Sequence, residues 1–266
     1  MSIFNQRARS ATRAALIHFL GSLVIAALAA ALVLWVWFPY PYDLLSGGRN
    51  LFLMLVGIDL ICGPLLTLVL FNPRKPNREL IMDMSLVALV QLAALGYGLH
   101  TAYAARPLFL VHEVDRFRVI TAADYGDADV HDAIAQLDAS IRPHGFKGPV
   151  TVGTRDPKDA KERQDVLLES VFGGRDFSQR PEFYVPYNAA YQAKVLERAK
   201  PLRAFIAHHS TIAGDAAILL AKYGITTTDD AQFLPVLHRQ DWIAVLDKSA
   251  RILGFLPGDG FEVSAR

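Results

Sequence analysis

His208, His209 and Ser210 form the densest run of side chains able to ligate a metal or attack a carbonyl. Two imidazoles suit zinc when their spacing turns them to one helix face, as at i and i+4. Adjacent histidines on a helix point about 100° apart, no HxxxH spacing occurs, and His238 is remote in sequence. The pair is therefore expected at a helix end or on the surface, with no metal. Ser210 lacks the Gly-flanked strand-to-helix elbow of a serine nucleophile. No Gly-rich phosphate loop follows a strand, and Gly258-Asp259-Gly260 reads as a turn. Neither a catalytic residue nor a cofactor site is expected.

Two acids stand in apolar surroundings, Asp59 and Asp83, and both need a partner. An unpaired carboxylate near mid-membrane costs on the order of 3 kcal/mol, so Asp59 is expected to face other helices. Gln91 lies at a comparable depth and is the expected contact. Gly57 and Gly63 flank Asp59 and allow close helix approach. His18 and Asp83 form a second expected pair, with Asp83 in a helix first turn where the macrodipole favours an acid. Helix packing explains both pairs more simply than proton handling. Intramembrane aspartyl proteolysis is rejected, because the two acids lie at different depths and Gly57-Ile58-Asp59 lacks the second glycine of a GxGD pattern.

The elements that position these residues divide the chain in two. Of 266 residues, 52% are hydrophobic and 20% charged, the mean hydropathy is +0.25, and 27 basic against 26 acidic residues leave +1. Residues 1–106 hold 8 Lys/Arg and 4 Asp/Glu, a net of +4; residues 107–266 hold 19 and 22, a net of −3. A membrane domain over 1–106 followed by a water-facing domain over 107–266 fits that asymmetry. Spans are expected at 14–38, 51–71 and 80–103, each long enough to cross about 30 Å of hydrocarbon. The first span ends in Trp35, Trp37, Phe38, Tyr40 and Tyr42 among prolines, as at a headgroup interface. Its apolar core is too long for a cleaved signal peptide.

Arg7, Arg9 and Arg13 precede the first span, and Arg74, Lys75 and Arg78 lie in the loop after the second. Three spans put both basic groups on one side, which the positive-inside rule makes cytoplasmic. The C-terminal domain then faces outward, into the periplasm of a Gram-negative cell, from the inner membrane. Its net acidity and scattered basic residues exclude a nucleic-acid footprint. The single cysteine, Cys62, lies in an apolar run, so disulfides and Cys-type zinc sites are excluded from the outer domain.

In that domain, strands are expected at 108–111, 117–120, 148–152, 233–238, 242–247 and 251–256, the last two forming a hairpin through Lys248-Ser249-Ala250. Helices are expected at 127–137, at 159–172 with Gly173-Gly174 as the stop, at 187–209 kinked or divided by Pro201, and at 211–223 with Gly224 as C-cap. No regular βαβ repeat emerges, so the fold class is α+β, a three-helix membrane anchor followed by a mixed soluble domain.

Val56 to Leu60, Gly63 to Leu68, Phe71-Asn72-Pro73-Arg74-Lys75-Pro76 with Arg78-Glu79, and Val90 to Gly98 resemble the membrane core of the TfpX/TfpZ type IV pilin accessory proteins. Three spans, Arg106-Pro107 at the exit and a terminal outer domain are similar too. The ending Pro257-Gly258-Asp259-Gly260-Phe261 departs from that family's acidic-Pro-aromatic tail. The resemblance implies a non-enzymatic inner-membrane helper of pilus biogenesis whose partners are the major pilin, membrane lipid and the assembly machinery. Gly57, Gly63, Gly96 and Gly98 are expected to pack against the pilin's hydrophobic helix, with Asp59 and Gln91 orienting the bundle. A membrane-anchored periplasmic sensor is the main alternative, but no cytoplasmic output domain accompanies it. A small transporter leaves the large outer domain unexplained, and a membrane-bound enzyme lacks a site.

Overall fold

The computed structural model describes residues 2–125, 129–172 and 175–263. The chain divides into two compact units, residues 1–43 with 47–104, and residues 44–46 with 105–266.

The first unit is built on long helices because its sequence offers uninterrupted apolar runs and few residues that compete for backbone hydrogen bonds. Helix α1 (Ser2–Ala31) continues into a π-helical turn at Leu32–Trp37, closed by Phe38 N–H donating to the Val33 carbonyl at 2.8 Å. A short α2 (Tyr42–Leu45) precedes α3 (Gly48–Leu70), and α4 (Asn77–Ala104) follows the Asn72–Pro76 turn. Three stretches, Arg7–Trp37, Gly48–Leu70 and Asn77–Ala104, are long and apolar enough to cross a membrane. Their large apolar side chains, among them Leu28, Val69 and Leu89, are mostly exposed, as a bundle solvated by lipid requires.

Neighbouring helices run antiparallel. His18, midway along α1, meets Thr67, late in α3, and Val33, just past the end of α1, clusters with Phe52, early in α3, while Leu55, early in α3, packs on Gly98, late in α4. The bundle's buried cluster lies toward the end of α1, where Ala29, Val33, Trp37 and Phe38 meet Phe52, with Leu95, Leu99 and Ala102 of α4 against them. Antiparallel order puts Arg7, Arg9 and Arg13 at the same end of the bundle as Arg74, Lys75 and Arg78.

The second unit is a mixed sheet with helices, and the expected α+β class is met. Its elements are β1 (Pro107–Glu113), β2 (Arg116–Thr121), α5 (Asp129–Ala135), β3 (Val150–Thr154), α6 (Ala160–Val171), β4 (Tyr184–Pro186), α7 (Ala189–Leu196), β5 (Lys200–Pro201), α8 (Leu202–His208), α9 (Ala213–Ala221), β6 (Gln232–Leu237), β7 (Trp242–Leu246) and β8 (Ile252–Pro257). Strand order is β4-β3-β1-β2-β6-β7-β8, with β5 pairing β6. The β1–β3 and β2–β6 pairs are parallel and the rest antiparallel. Central β1 and β7 are buried almost throughout, so their apolar runs do not alternate. One core gathers α8 and α9 on β6, β7 and β8 around Phe205, Phe233, Ile243 and Leu253. A second gathers Phe109, Val111, Ile120 and Val152 with Tyr125 and Tyr184.

Local chemistry explains the boundaries. Residues 108–111 and 117–120 join as a hairpin, turning at Val114 with φ 55°. Asp159 caps α6 by accepting from Glu162 N–H at 2.8 Å. The expected stop at Gly173-Gly174 and the start at Asp127 lie outside the described residues. Pro201 divides the 187–209 segment outright: α7 ends at Leu196, Lys200-Pro201 pairs with β6, and α8 begins at Leu202. Gly224, at φ 70°, ends the helix as expected, its N–H on the Ala221 carbonyl at 3.1 Å. In the final hairpin, Asp247 Oδ1 accepts from Ser249 N–H at 2.8 Å and Arg251 N–H at 2.9 Å, closing the turn through Ala250.

Candidate functional site

Polar side chains of the bundle converge on one cleft of about 250 Å³ between α1, α3 and α4. His18 and Ser22 of α1, Asp59 of α3 and Gln91 of α4 line it, with Val56, Ile25 and Leu95 as its apolar walls. Gln91 is buried and donates from Nε2 to the Asp59 main-chain carbonyl at 3.0 Å. Gly63 makes that approach possible, since a methyl group there would overlap the Gln91 carboxamide. Pro64 follows, and proline takes one N–H out of the helical ladder beside this contact.

The expected His18–Asp83 pair is corrected. His18 Nδ1 hydrogen-bonds Thr67 Oγ1, and the Asp83 carboxylate is held by the Lys75 ammonium instead. Lys75 lies in the turn just before α4, eight residues from Asp83, and its ammonium pairs with that carboxylate. His18 therefore belongs with Asp59 in the cleft. Arg7, Arg9, Arg13, Arg74 and Arg78 are exposed, as charges meant for water or headgroups should be.

The four glycines separate into two kinds. Gly63 meets Gln91 and Gly98 meets Leu55, so both are used inside the bundle. Around Gly57 and Gly96 a methyl group would touch nothing within 4 Å. Gly21 on α1 is open in the same way and was not singled out by sequence, which gives no hint of which helix faces pair.

Four further features belong to the second unit. Leu167, Leu168, Val171 and Phe172 form an exposed apolar face on α6, with Phe172 84% exposed. Beside it, Arg155 grips Glu162 with two bonds of 2.8 and 2.9 Å and holds its carboxyl down at about 2. His112 of β1 is 1% exposed, its Nδ1 2.9 Å from Tyr191 Oη and its Nε2 without a hydrogen-bond partner. Burial, reinforced by the Lys194 ammonium, lowers its pKa to about 4. Tyr125 and Tyr184 share a hydrogen bond of 2.8 Å, and burial raises both hydroxyls above their usual range.

Comparison with known proteins places this arrangement. The family model described as fimbrial assembly protein FimB matches residues 6–47. The chain is 36% identical over 261 residues, 97% of its length and 99% of the relative's, to the fimbrial assembly protein of serogroup I from Dichelobacter nodosus. The chain belongs to the fimbrial assembly protein family. The serogroup E1 protein of the same organism is 35% identical over the same extent. That of serogroups C1 and C2 is 45% identical over 119 residues, covering 45% of this chain and 91% of that protein. No solved structure matches at a significant level. The resemblance to pilus accessory proteins read at residues 56 to 98 agrees with this membership. Family likeness to the fimbrial assembly proteins thus extends over both units, through the bundle and the sheet alike.

Proposed function

We propose that the chain is a non-enzymatic inner-membrane accessory of type IV pilus biogenesis, which engages the major pilin before it enters the fibre. The two basic groups at one bundle end face the cytoplasm under the positive-inside rule, so the sheet unit lies in the periplasm. A pilin waiting in the bilayer has a matching layout, with a hydrophobic helix in lipid and a globular head outside.

The observation that carries this reading is the division among the glycines. Without a hydrophobic drive between helices in lipid, association relies on close backbone approach at small residues. Gly63 and Gly98 already serve that purpose within the bundle, whereas Gly57 and Gly96 leave room for another helix. The cleft polar groups hold α3 and α4 in register, and the exposed α6 face offers apolar surface to the pilin head. Contact with the assembly machinery follows as the next step.

The test places a photoreactive residue at Ile58, Tyr97 or Phe172, exposed side chains beside the two open glycines and on the α6 face, in a piliated cell. Major pilin is the expected adduct at these positions and not at Gly98, which faces Leu55. If none of the three captures pilin, the reading gives way to a periplasmic sensor.

A further inference from the structure

His208 and His209 would point about 100° apart if both were helical. They are not: α8 ends at His208, and His209 leaves the helix at φ −115°, ψ 66°. The departure swings the second ring back, and the two imidazoles lie 5.0 Å apart, edge to face. Glu262, more than fifty residues later, completes the group. Its Oε2 is 3.3 Å from His208 Nε2, and one donor atom from each of the three residues lies within 4.8 Å of the others.

We propose that His208, His209 and Glu262 form a binding site for a divalent transition metal of the zinc type. Two imidazoles and a carboxylate are a donor set such ions accept, with water in the open position. Metal–ligand bonds of about 2.0–2.1 Å in a tetrahedron separate ligand atoms by about 3.3 Å, so His208 and Glu262 already stand at that separation. Soft-ligand metals are disfavoured, since residues 107–266 hold no cysteine, and magnesium prefers an all-oxygen shell.

The site is held from both sides. Leu202 and Phe205 are fully buried and fix α8. The His209 ring packs on Phe205 with centroids 4.5 Å apart, and its Nε2 is 3.3 Å from the Asp259 carbonyl. On the tail, the Lys200 ammonium donates to the Gly260 carbonyl at 3.0 Å and to the Val263 carbonyl at 2.6 Å. Those anchors bracket Glu262, and Val263 is itself buried in the core. A lone surface ion pair needs no such support, whereas a metal site gains affinity from ligands that are already ordered. Metal binding would join the C-terminal tail to α8.

The test uses the full chain in detergent micelles, purified without a polyhistidine tag, stripped with chelator and titrated with zinc chloride. One zinc per chain is expected, with affinity at least roughly tenfold weaker in His208→Ala and in Glu262→Gln. Both side chains are more than half exposed, so the variants keep the fold. With Trp35 and Trp37 replaced by Phe so that Trp242 alone reports, zinc is also expected to raise the unfolding temperature of the otherwise parent chain and to leave His208→Ala unmoved, with magnesium inert in both. Failure of the parent to bind zinc, or equal binding by the parent and both variants, overturns the site.

Discussion

Acidification from pH 7 to pH 4 is expected to remove about 3 kcal/mol of stability from the second unit through His112 alone. The imidazole titrates at about 4 in the fold, against about 6.5 for an unfolded histidine, because burial and Lys194 both oppose its charge. Between those values the unfolded chain binds more protons, so stability rises with pH across the window. The contribution is fully present above about pH 6.5, falls away toward pH 4, and changes no further below that. His238 is lowered too, mainly by burial, and adds in the same direction. The check is urea unfolding of the full chain in micelles at several pH values, followed by Trp242 fluorescence in a background where Trp35 and Trp37 are replaced by Phe. His112→Leu should flatten the pH dependence; an equally steep profile in that variant would show that other groups carry it.

The second large effect separates the glycines. Gly63→Leu forces a side chain into the space of the Gln91 carboxamide, breaking its bond to the Asp59 carbonyl and prising α3 from α4. Overpacking of this kind costs about 1–3 kcal/mol, so the variant should be less abundant and less heat-stable in micelles. Gly57→Leu meets nothing within the bundle and should be as stable as the parent. It should still weaken pilin capture roughly tenfold, if an overpacking penalty of about 1–3 kcal/mol falls at the partner contact instead. Equal stability of the two variants would contradict the helix packing, and undiminished capture by Gly57→Leu would contradict the docking face.

Much of this was legible in sequence because lipid imposes simple rules. Charge-free runs of span length, two basic loops and interfacial aromatics point to three helices without any tertiary information. The depth of Asp59 and Gln91 follows from counting residues, yet counting could not show that Gln91 reaches a main-chain carbonyl. That depended on Gly63 lying directly beneath it. Shared depth does not make contact at His18 and Asp83, because Lys75 in the adjoining turn reaches Asp83 instead.

The second unit shows the complementary limit. Pro201 announced a break, but proline chemistry alone does not say that the broken residues join a sheet at β6. The parallel β1–β3 and β2–β6 pairs depend on which strands the chain brings together from far apart. His208 and His209 were judged by helical periodicity, and a single residue leaving the helix reversed the geometry. Glu262 could not have been added by spacing, since only the tertiary return of the tail brings it near. No sequence period marks an open glycine face either, because openness is a property of the neighbours.

The most direct measurement of the central claim compares total pilin with surface fibres in a strain lacking this gene and in the same strain carrying it on a plasmid. The account predicts that surface fibres are lost and then restored, with low pilin indicating stabilisation and unchanged pilin indicating assembly. Fibres at the parent level in the deletion strain, with pilin also unchanged, would contradict it.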